Sequence, residues 1–211
     1  MSYQIKEAFY SLQGEGRHTG RPAIFCRFSQ CNLWTGREID RAQAVCAFCD
    51  TDFVGTDGQN GGRFNHASDL VEHLKQLWPS QTQVMPFVVL TGGEPLLQVD
   101  QTLVDSFHKA GFEIAIETNG TKLPPQGIDW VCVSPKAGAP WILTQGDELK
   151  LVYPQPGLMP EQISTTGFKH YYLQPMDGEN QAIHLQQAIA YCLAHPEWKL
   201  SLQTHKIMQI D

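Results

Sequence analysis

Short apolar runs recur along the chain, and several contain almost no polar residue. Such runs are typical of parallel strands, because other elements cover both faces of a parallel sheet. The predicted strands are AIFCRFS from Ala23, FVVLTG from Phe87, EIAIET from Glu113, WVCVSP from Trp130, ELKLVY from Glu148, HYYLQP from His170 and KLSLQT from Lys199.

Between these runs, apolar residues recur with the period of a helix in three places. The first predicted helix covers 70–78 after a cap at Ser68, and the second covers 103–110 and stops at Gly111. The third helix runs from Gln181 to Ala194. Its apolar residues that are available to face a core are Ile183, Ala188, Ile189 and Cys192.

This order of elements predicts an α/β fold with a mainly parallel, curved sheet that forms an incomplete barrel with fewer helices than strands. We expect a single domain over residues 1–211, because a chain of this length with 42% hydrophobic residues can bury one substantial core. In such sheets, ligands bind at the carboxyl ends of the strands. The polar or glycine-rich segments at these ends are 91–95, 117–120, 134–136, 174–177 and 203–206.

Charge and composition narrow the choice of partners. The formal net charge is −7 at pH 7, and Lys and Arg are scattered rather than clustered, which argues against a nucleic-acid partner. The N-terminal MSYQIKEAFYSLQ lacks the continuous apolar run of a signal peptide, and no apolar segment approaches the roughly 20 residues of a membrane helix. We therefore expect a cytoplasmic protein without a membrane partner.

Three of the six cysteines, Cys31, Cys46 and Cys49, leave two interpretations open. In a reducing compartment, clustered cysteines bind metal or carry out redox chemistry more often than they form disulfides. A structural zinc site would need a fourth ligand such as His66. A four-iron cluster held by three cysteines would instead leave one iron open to a substrate or cofactor. The other cysteines are predicted to pack as small hydrophobic residues, and they are Cys26, Cys132 and Cys192.

The chain resembles the radical S-adenosylmethionine (SAM) superfamily in its three cysteines, in Phe48 before the third one, and in GGEP after a strand. Most members have Cys-x3-Cys-x2-Cys, whereas this chain has Cys-x14-Cys-x2-Cys, so residues 32–45 form an insert in a cluster loop that spans 31–49. The ordered motifs FYSLQGEGRHTGRPAIFCRFSQCN, CDT, LTGGEPLLQ, ETNGT, VSPK, LQPMD and QTHK make it similar to the 7-carboxy-7-deazaguanine synthase family. This resemblance runs from Phe9 to Lys206.

The resemblance implies that Cys31, Cys46 and Cys49 bind a [4Fe–4S] cluster and that the amino and carboxylate groups of SAM chelate the fourth iron. No residue is assigned as a general acid or base, because the chemistry starts at the cluster and SAM. Lys136 by itself would be a solvated lysine, so its role depends on the resemblance. The residues that match the family's SAM-binding segments are Phe48, Cys49, Asp50, Gly92, Gly93, Glu94, Ser134, Pro135, Lys136, Gln174, Pro175, Met176 and Asp177.

The implied substrate is 6-carboxy-5,6,7,8-tetrahydropterin, which is planar and anionic. Arg27 suits its carboxylate because a guanidinium fork can bind both oxygens, and Glu15 can accept from a guanidine-like edge. Thr51 matches the family's magnesium ligand. Glu117 and Asn119 either support this pocket or hold a local turn. The residues that match the pterin-binding segments are Leu12, Gln13, Gly14, Glu15, Arg27, Thr91, His205 and Lys206.

By resemblance, one electron from a flavodoxin- or ferredoxin-like donor splits SAM into methionine and a 5′-deoxyadenosyl radical, which abstracts hydrogen from the pterin. The ring contracts, ammonia leaves and 7-carboxy-7-deazaguanine forms, a step toward queuosine. The resemblance also implies a homodimer. Two other functions stay open: an activase that generates a glycyl radical on a protein partner, and a non-enzymatic interaction module stabilised by zinc.

The sequence leaves two segments without an assigned role. Glu38 to Val45 is expected to form about two helical turns that return Cys46 toward Cys31. Asp211 ends the chain five residues after Lys206, so its carboxylate either reaches the pocket or frays.

Overall fold

The computed structural model describes residues 2–164 and 166–210. Its strands are β1 Tyr3–Leu12, β2 Pro22–Phe28, β3 Gly62–Phe64, β4 Phe87–Gly92, β5 Glu113–Thr118, β6 Trp130–Val133, β7 Gly146–Tyr153, β8 Phe168–Pro175 and β9 Trp198–Leu200. Its α-helices are α1 Ala67–Lys75, α2 Gln101–Lys109, α3 Gln181–Ala194 and α4 Thr204–Met208. Short 3-10 helices cover Gly16–His18, Glu38–Gln43, Pro95–Leu97 and Pro160–Gln162.

All nine strands form one sheet in the order β3-β1-β2-β4-β5-β6-β7-β8-β9. β1 pairs antiparallel with β2 and β3, and every pair from β2–β4 to β8–β9 is parallel. Over the described ranges, no pairing joins the two edge strands β3 and β9, so the sheet stays open. The predicted α/β class with a mainly parallel, unclosed sheet is confirmed.

The two faces of the sheet have different partners because side chains alternate along each strand. On the outer face, Ile24, Leu90 and Ile116 join α1 and α2 in the main apolar core. Farther along the sheet, Leu149 and Leu173 join Ala188 of α3 in a second core. The inner face is apolar only at the amino ends of the strands, where Ala23, Phe87, Val89 and Ala115 pack together. Toward the carboxyl ends, this inner face becomes polar and lines a cavity.

Two details of the predicted helices were wrong. α1 begins at Ala67 with His66 in the cap position, so Ser68 lies inside the first turn and bonds Asp69 instead of capping. In α3 the only buried residue is Ala188, and Ile183 is 57% exposed. By contrast, the predicted stop at Gly111 is confirmed, since this residue has φ +83° directly after the end of α2.

β1 and β3 were absent from the predicted strands. A bulge between Ile5 and Glu7 breaks the alternation of β1, and there Lys6 pairs with Asp52 and Asp57. The glycine-rich segment 55–62 bonds this bulge, because the Gly58 N–H donates to the Lys6 carbonyl at 2.9 Å. The last predicted strand is shorter than expected, since β9 ends at Leu200.

Within the part of the chain that the structure covers, no helix has both the length and the apolar character needed to cross a membrane.

Candidate functional site

A cavity of about 360 Å³ opens at the carboxyl ends of the parallel strands. This volume lies in the range of small-molecule sites. Every residue predicted for the site lines the cavity except Glu94 and Pro135, which are buried outside its wall. The strand-end argument from the sequence therefore located the cavity. The individual roles of these residues remain predictions.

The three cysteines predicted to hold a cluster line one part of this cavity. The Leu33 carbonyl accepts the Val45 and Cys46 N–H groups at 3.1 and 3.4 Å, and the Leu33 N–H donates to Cys31 Sγ at 3.4 Å. The residues between Cys31 and Cys46 thus fold back, as expected, although Glu38–Gln43 is a 3-10 helix.

The thiols of this group do not ionise equally. A hydrogen bond from Cys46 lowers the pKa of the Cys49 thiol to about 6, and the same bond and burial raise the pKa of Cys46. Burial also raises the pKa of Cys31. Cys49 is therefore the thiol of the three that ionises most readily, and thiolate is the form that ligates iron.

The donor set on this wall is three thiols, and thiolate is the ligand type that iron–sulfur clusters take. Among the residues described, no three His, Cys, Asp or Glu side chains converge closely enough to hold one metal ion. His66, the fourth zinc ligand considered from the sequence, precedes α1 and is not part of the cavity wall. Three cysteines on one wall of a cavity fit a cluster that is bound by protein thiolates on one side.

The glycines that end β4 allow the chain to pass close to the segment after β2. A Cβ on Gly93 would lie 1.9 Å from the Gln30 carbonyl oxygen, and Gly92 has φ +125°. Glycine is required at both positions for these reasons. Gly93 thereby lies next to the segment that carries Cys31, on the cavity wall.

Glu94 was predicted beside the SAM contact, but the structure gives its carboxylate other partners. Glu94 is fully buried and accepts from Thr118 Oγ1 at 2.7 Å and from the Asn119 and Leu96 N–H groups at 2.8 and 2.9 Å. Burial raises its pKa. These bonds link the ends of β4 and β5, so Glu94 holds the two strand ends together from outside the cavity wall.

Lys136 is not the solvated lysine that its residue type alone would suggest. Its ammonium donates to the carbonyl and the hydroxyl of Ser134, at 2.7 Å each, and it lies 6.0 Å from the Phe48 ring centroid. Burial lowers the pKa of Lys136. The Lys136 side chain therefore lies beside the part of the cavity that holds the cysteines.

A network of buried charges forms the floor of the cavity. Lys150 is buried on the inner face of the sheet, and only 4% of the residue is exposed. Its ammonium forms ion pairs with Glu15 and with Glu117, the latter at 3.0 Å. Glu15 also accepts from Gln174 Nε2 and Gln203 Nε2 at 3.0 Å each. Burial would lower the pKa of Lys150, but the charges of Glu117 and Glu15 raise it well above its usual value.

Sequence reasoning missed Lys150, although the signal was present. In the strand Gly146–Tyr153, Glu148 and Lys150 alternate with Leu149 and Leu151. Side chains two apart share one face of a strand, so this pattern places two charged groups inside a sheet whose other face is apolar. Glu117, for which the sequence offered two roles, supports the pocket, since its carboxylate accepts from Gln13 Nε2 at 2.9 Å and from Lys150 Nζ at 3.0 Å.

Arg27 lies on the wall beside Glu7, which accepts from Arg27 Nε at 2.7 Å. For the described part of the chain, this is the single hydrogen bond of the Arg27 side chain, so both Nη groups are left for a ligand. Thr91 and Thr51 line the same cavity.

The C-terminal segment closes one side of the cavity. Thr204 donates through its N–H and its hydroxyl to the Gly14 carbonyl, at 3.0 Å each, and a Cβ on Gly14 would overlap the His205 ring. Lys206 bonds Asp50 at 2.7 Å and Asp177 at 2.6 Å, so it joins the cysteine loop to the end of β8. Asp211 lies outside the described residues.

Comparison with known proteins gives a consistent result, although no family model matches the chain. Relatives named 7-carboxy-7-deazaguanine synthase are 57% identical in Bordetella pertussis, over 100% of both chains, and 56% identical in Caulobacter vibrioides, over 99% of both. One from Nitratidesulfovibrio vulgaris is 54% identical over 100% of both chains. The crystal structure of QueE from Escherichia coli matches with a TM-score of 0.71 and 28% identity, covering 96% of this chain and 94% of that chain.

Proposed function

The chain belongs to the 7-carboxy-7-deazaguanine synthase family, and from this premise we propose how its cavity carries out the family's reaction. It is a radical SAM enzyme that converts 6-carboxy-5,6,7,8-tetrahydropterin to 7-carboxy-7-deazaguanine and ammonia, in queuosine biosynthesis. We propose that residues 1–211 form one radical SAM domain for this reaction. One observation supports the roles that we assign to the residues: three thiols and a buried charged floor face the same cavity.

Cys31, Cys46 and Cys49 hold the [4Fe–4S] cluster in this proposal. When bound, the cluster and SAM together supply an electron-initiated carbon radical that takes a hydrogen atom from the substrate. The chain's own residues orient the reactants and exclude water. Phe48 and Gly93 line the wall between the cysteines and the strand ends, which supports their assignment to the SAM side. Lys136 and Met176 line the same side.

The pterin lies toward the charged floor. Arg27 binds its carboxylate through the two Nη groups, because Glu7 already holds the Nε and fixes the plane of the fork. Glu15 and Glu117, which both pair with Lys150, accept from the N–H groups of the guanidine-like edge. This arrangement supports a planar anion with donors on the opposite edge as the ligand.

A magnesium ion at Thr51 completes the proposed site. A hydroxyl is a weak ligand for Mg²⁺, which otherwise takes anionic oxygens and water. The position of Thr51 on the cavity wall, next to Asp50 and Asp52, supports the assignment because substrate oxygen and water can supply the other ligands.

We propose three further properties of the enzyme. Its electron donor is a flavodoxin- or ferredoxin-like protein, and its location is the cytoplasm, where the six free cysteines stay reduced. Its oligomer is a homodimer. α3 supports the homodimer, because this helix has no charged residue and exposes Ile183 and Leu193. An uncharged apolar patch can contact its own copy across a two-fold axis without repulsion between like charges.

Anaerobic reconstitution tests the function. Purified protein is loaded with iron and sulfide and supplied with SAM, a reductant, Mg²⁺ and the carboxytetrahydropterin. We expect 7-carboxy-7-deazaguanine from the native chain and none from C49A, with C192A as the matched cysteine control. A loaded cluster that cleaves SAM but yields no deazapurine contradicts the substrate assignment. One bound zinc without acid-labile sulfide contradicts the enzyme.

A further inference from the structure

The insert of residues 32–45 carries one arginine whose contacts go to the turn between Cys46 and Cys49. Arg41 Nη1 donates to the carbonyl oxygens of Ala47 and Cys49, at 2.9 Å each. Both carbonyls belong to the short segment that also contains Phe48. We propose that Arg41 is a positioning residue that sets the conformation of this turn and, through it, the placement of Cys46, Phe48 and Cys49.

Arg41 is itself held in place from two sides. Its guanidinium carbon lies 4.0 Å from the ring centroid of Trp34, which is 7% exposed and packs edge-on against Phe53. Glu38, one 3-10 turn earlier, accepts from its Nε and Nη2 at 2.7 and 2.6 Å. A flat cation stacked on a buried ring and fixed by a carboxylate has little freedom, so its remaining donors point in one direction.

The insert thereby makes contacts with the cysteine turn that the three-residue link of most radical SAM proteins is too short to make. Its 3-10 helix returns the chain to Leu33, whose carbonyl accepts from Val45 and Cys46, and its arginine then spans the turn that follows. Without Arg41, the Cys49 carbonyl would lose this bond, and the Cys49–Asp50 peptide would lose the contact that orients it. Lysine is a poor substitute, because a single ammonium cannot stack on Trp34 and bind both carbonyls in one plane.

The first test needs neither cluster nor substrate. Hydrogen–deuterium exchange is measured on the full-length, cluster-free protein for R41M, R41K and R37M. Arg37 is the matched control, because it lies in the same insert, is 70% exposed, and meets Asp40 only at 4.0 Å. We expect amides of residues 45–50 to exchange about tenfold faster in R41M and R41K and less than about twofold faster in R37M. Equal exchange in R41M and R37M overturns the proposal.

The second test rests on the proposed function and separates SAM from pterin. In reconstituted R41K we expect the KM for SAM to rise about fivefold to tenfold, with the pterin KM changed less than about twofold and R37M unchanged. A rise confined to the pterin KM overturns the proposed placement. If the native chain makes no deazapurine, the exchange measurement still decides the role of Arg41, so the two failures are distinguishable.

Discussion

Replacing Lys150 with methionine tests the charged floor of the cavity. The substitution keeps the length of the side chain and removes the ammonium between Glu15 and Glu117. Loss of one partner from a buried ion pair typically costs 3–5 kcal/mol, because a charge is left without compensation. We expect about 3 kcal/mol here, since the cavity admits water to the Glu117 side chain, which is 24% exposed. At about 2 kcal/mol per molar urea, the unfolding midpoint falls by about 1.5 M.

The loss of stability in K150M should depend on pH in a defined direction. In the native chain, burial would raise the pKa of Glu15, but the charge and the hydrogen bond of Lys150 outweigh it and lower the pKa below 4.5. In K150M burial dominates, so the folded pKa rises above the unfolded one. A carboxyl of that kind stabilises the fold below its unfolded pKa and loses this contribution as the pH rises through the folded pKa. The deficit of K150M should therefore shrink as the pH falls toward 4.5.

Urea unfolding followed by circular dichroism, at several pH values, measures both effects. K169M is the control, because Lys169 also pairs with a carboxylate, that of Asp147 at 2.6 Å, but its side chain is 72% exposed. Such a pair contributes about 0–1 kcal/mol. If K150M and K169M unfold at the same urea concentration at every pH, the floor network does not stabilise the fold and our reasoning about it fails.

Four further predictions concern the rest of the molecule. R27K should raise the pterin KM about tenfold or more, because lysine cannot bind both carboxylate oxygens, whereas R21K, which alters the Glu113 pair at the other end of the strands, should not change it. K206M should lower the melting temperature by about 2–4 °C, since a half-exposed ion pair contributes about 1 kcal/mol, and D177N should add little in the double variant. Burial lowers the pKa of His18, so the unfolded chain binds more protons than the folded chain just below pH 6.5, and the fold loses stability as the pH is lowered through that range. H18Q should flatten this pH dependence in urea titrations followed by tryptophan fluorescence. Replacing residues 32–45 with a three-residue link should retain the cluster by iron and sulfide analysis but abolish turnover, and full activity would show that the insert is dispensable.

The sequence predicted most of the sheet because the apolar runs of parallel strands are local signals. β4 and β5 were found by this rule, as was the site at their carboxyl ends. β1 was not, because its bulge at Lys6 interrupts the alternation and its partners are distant in the chain. The cap of α1 was misplaced because Ser68 is a good cap residue by type, whereas the helix begins one residue earlier, at Ala67, which is buried in the main core.

The site was predicted unevenly for a similar reason. Motifs identify residues one at a time, so they gave Glu15 and Glu94 equal weight. Only the three-dimensional contacts show that Glu94 bonds backbone behind the wall while Glu15 faces the cavity beside Lys150. Arg41 carries no motif signal, since its partners are two backbone carbonyls and a ring that come together only when the insert folds.

The bonds between Thr204 and Gly14 join segments that are 190 residues apart in the chain. A ribosome that has released the first strands has therefore not yet supplied Gln203, which bonds Glu15, or Lys206, which bonds Asp50. The cysteine loop, by contrast, emerges early and remains without these contacts during most of synthesis. The wall of the cavity beside the cysteine loop is therefore complete only once the last residues of the chain have been synthesised.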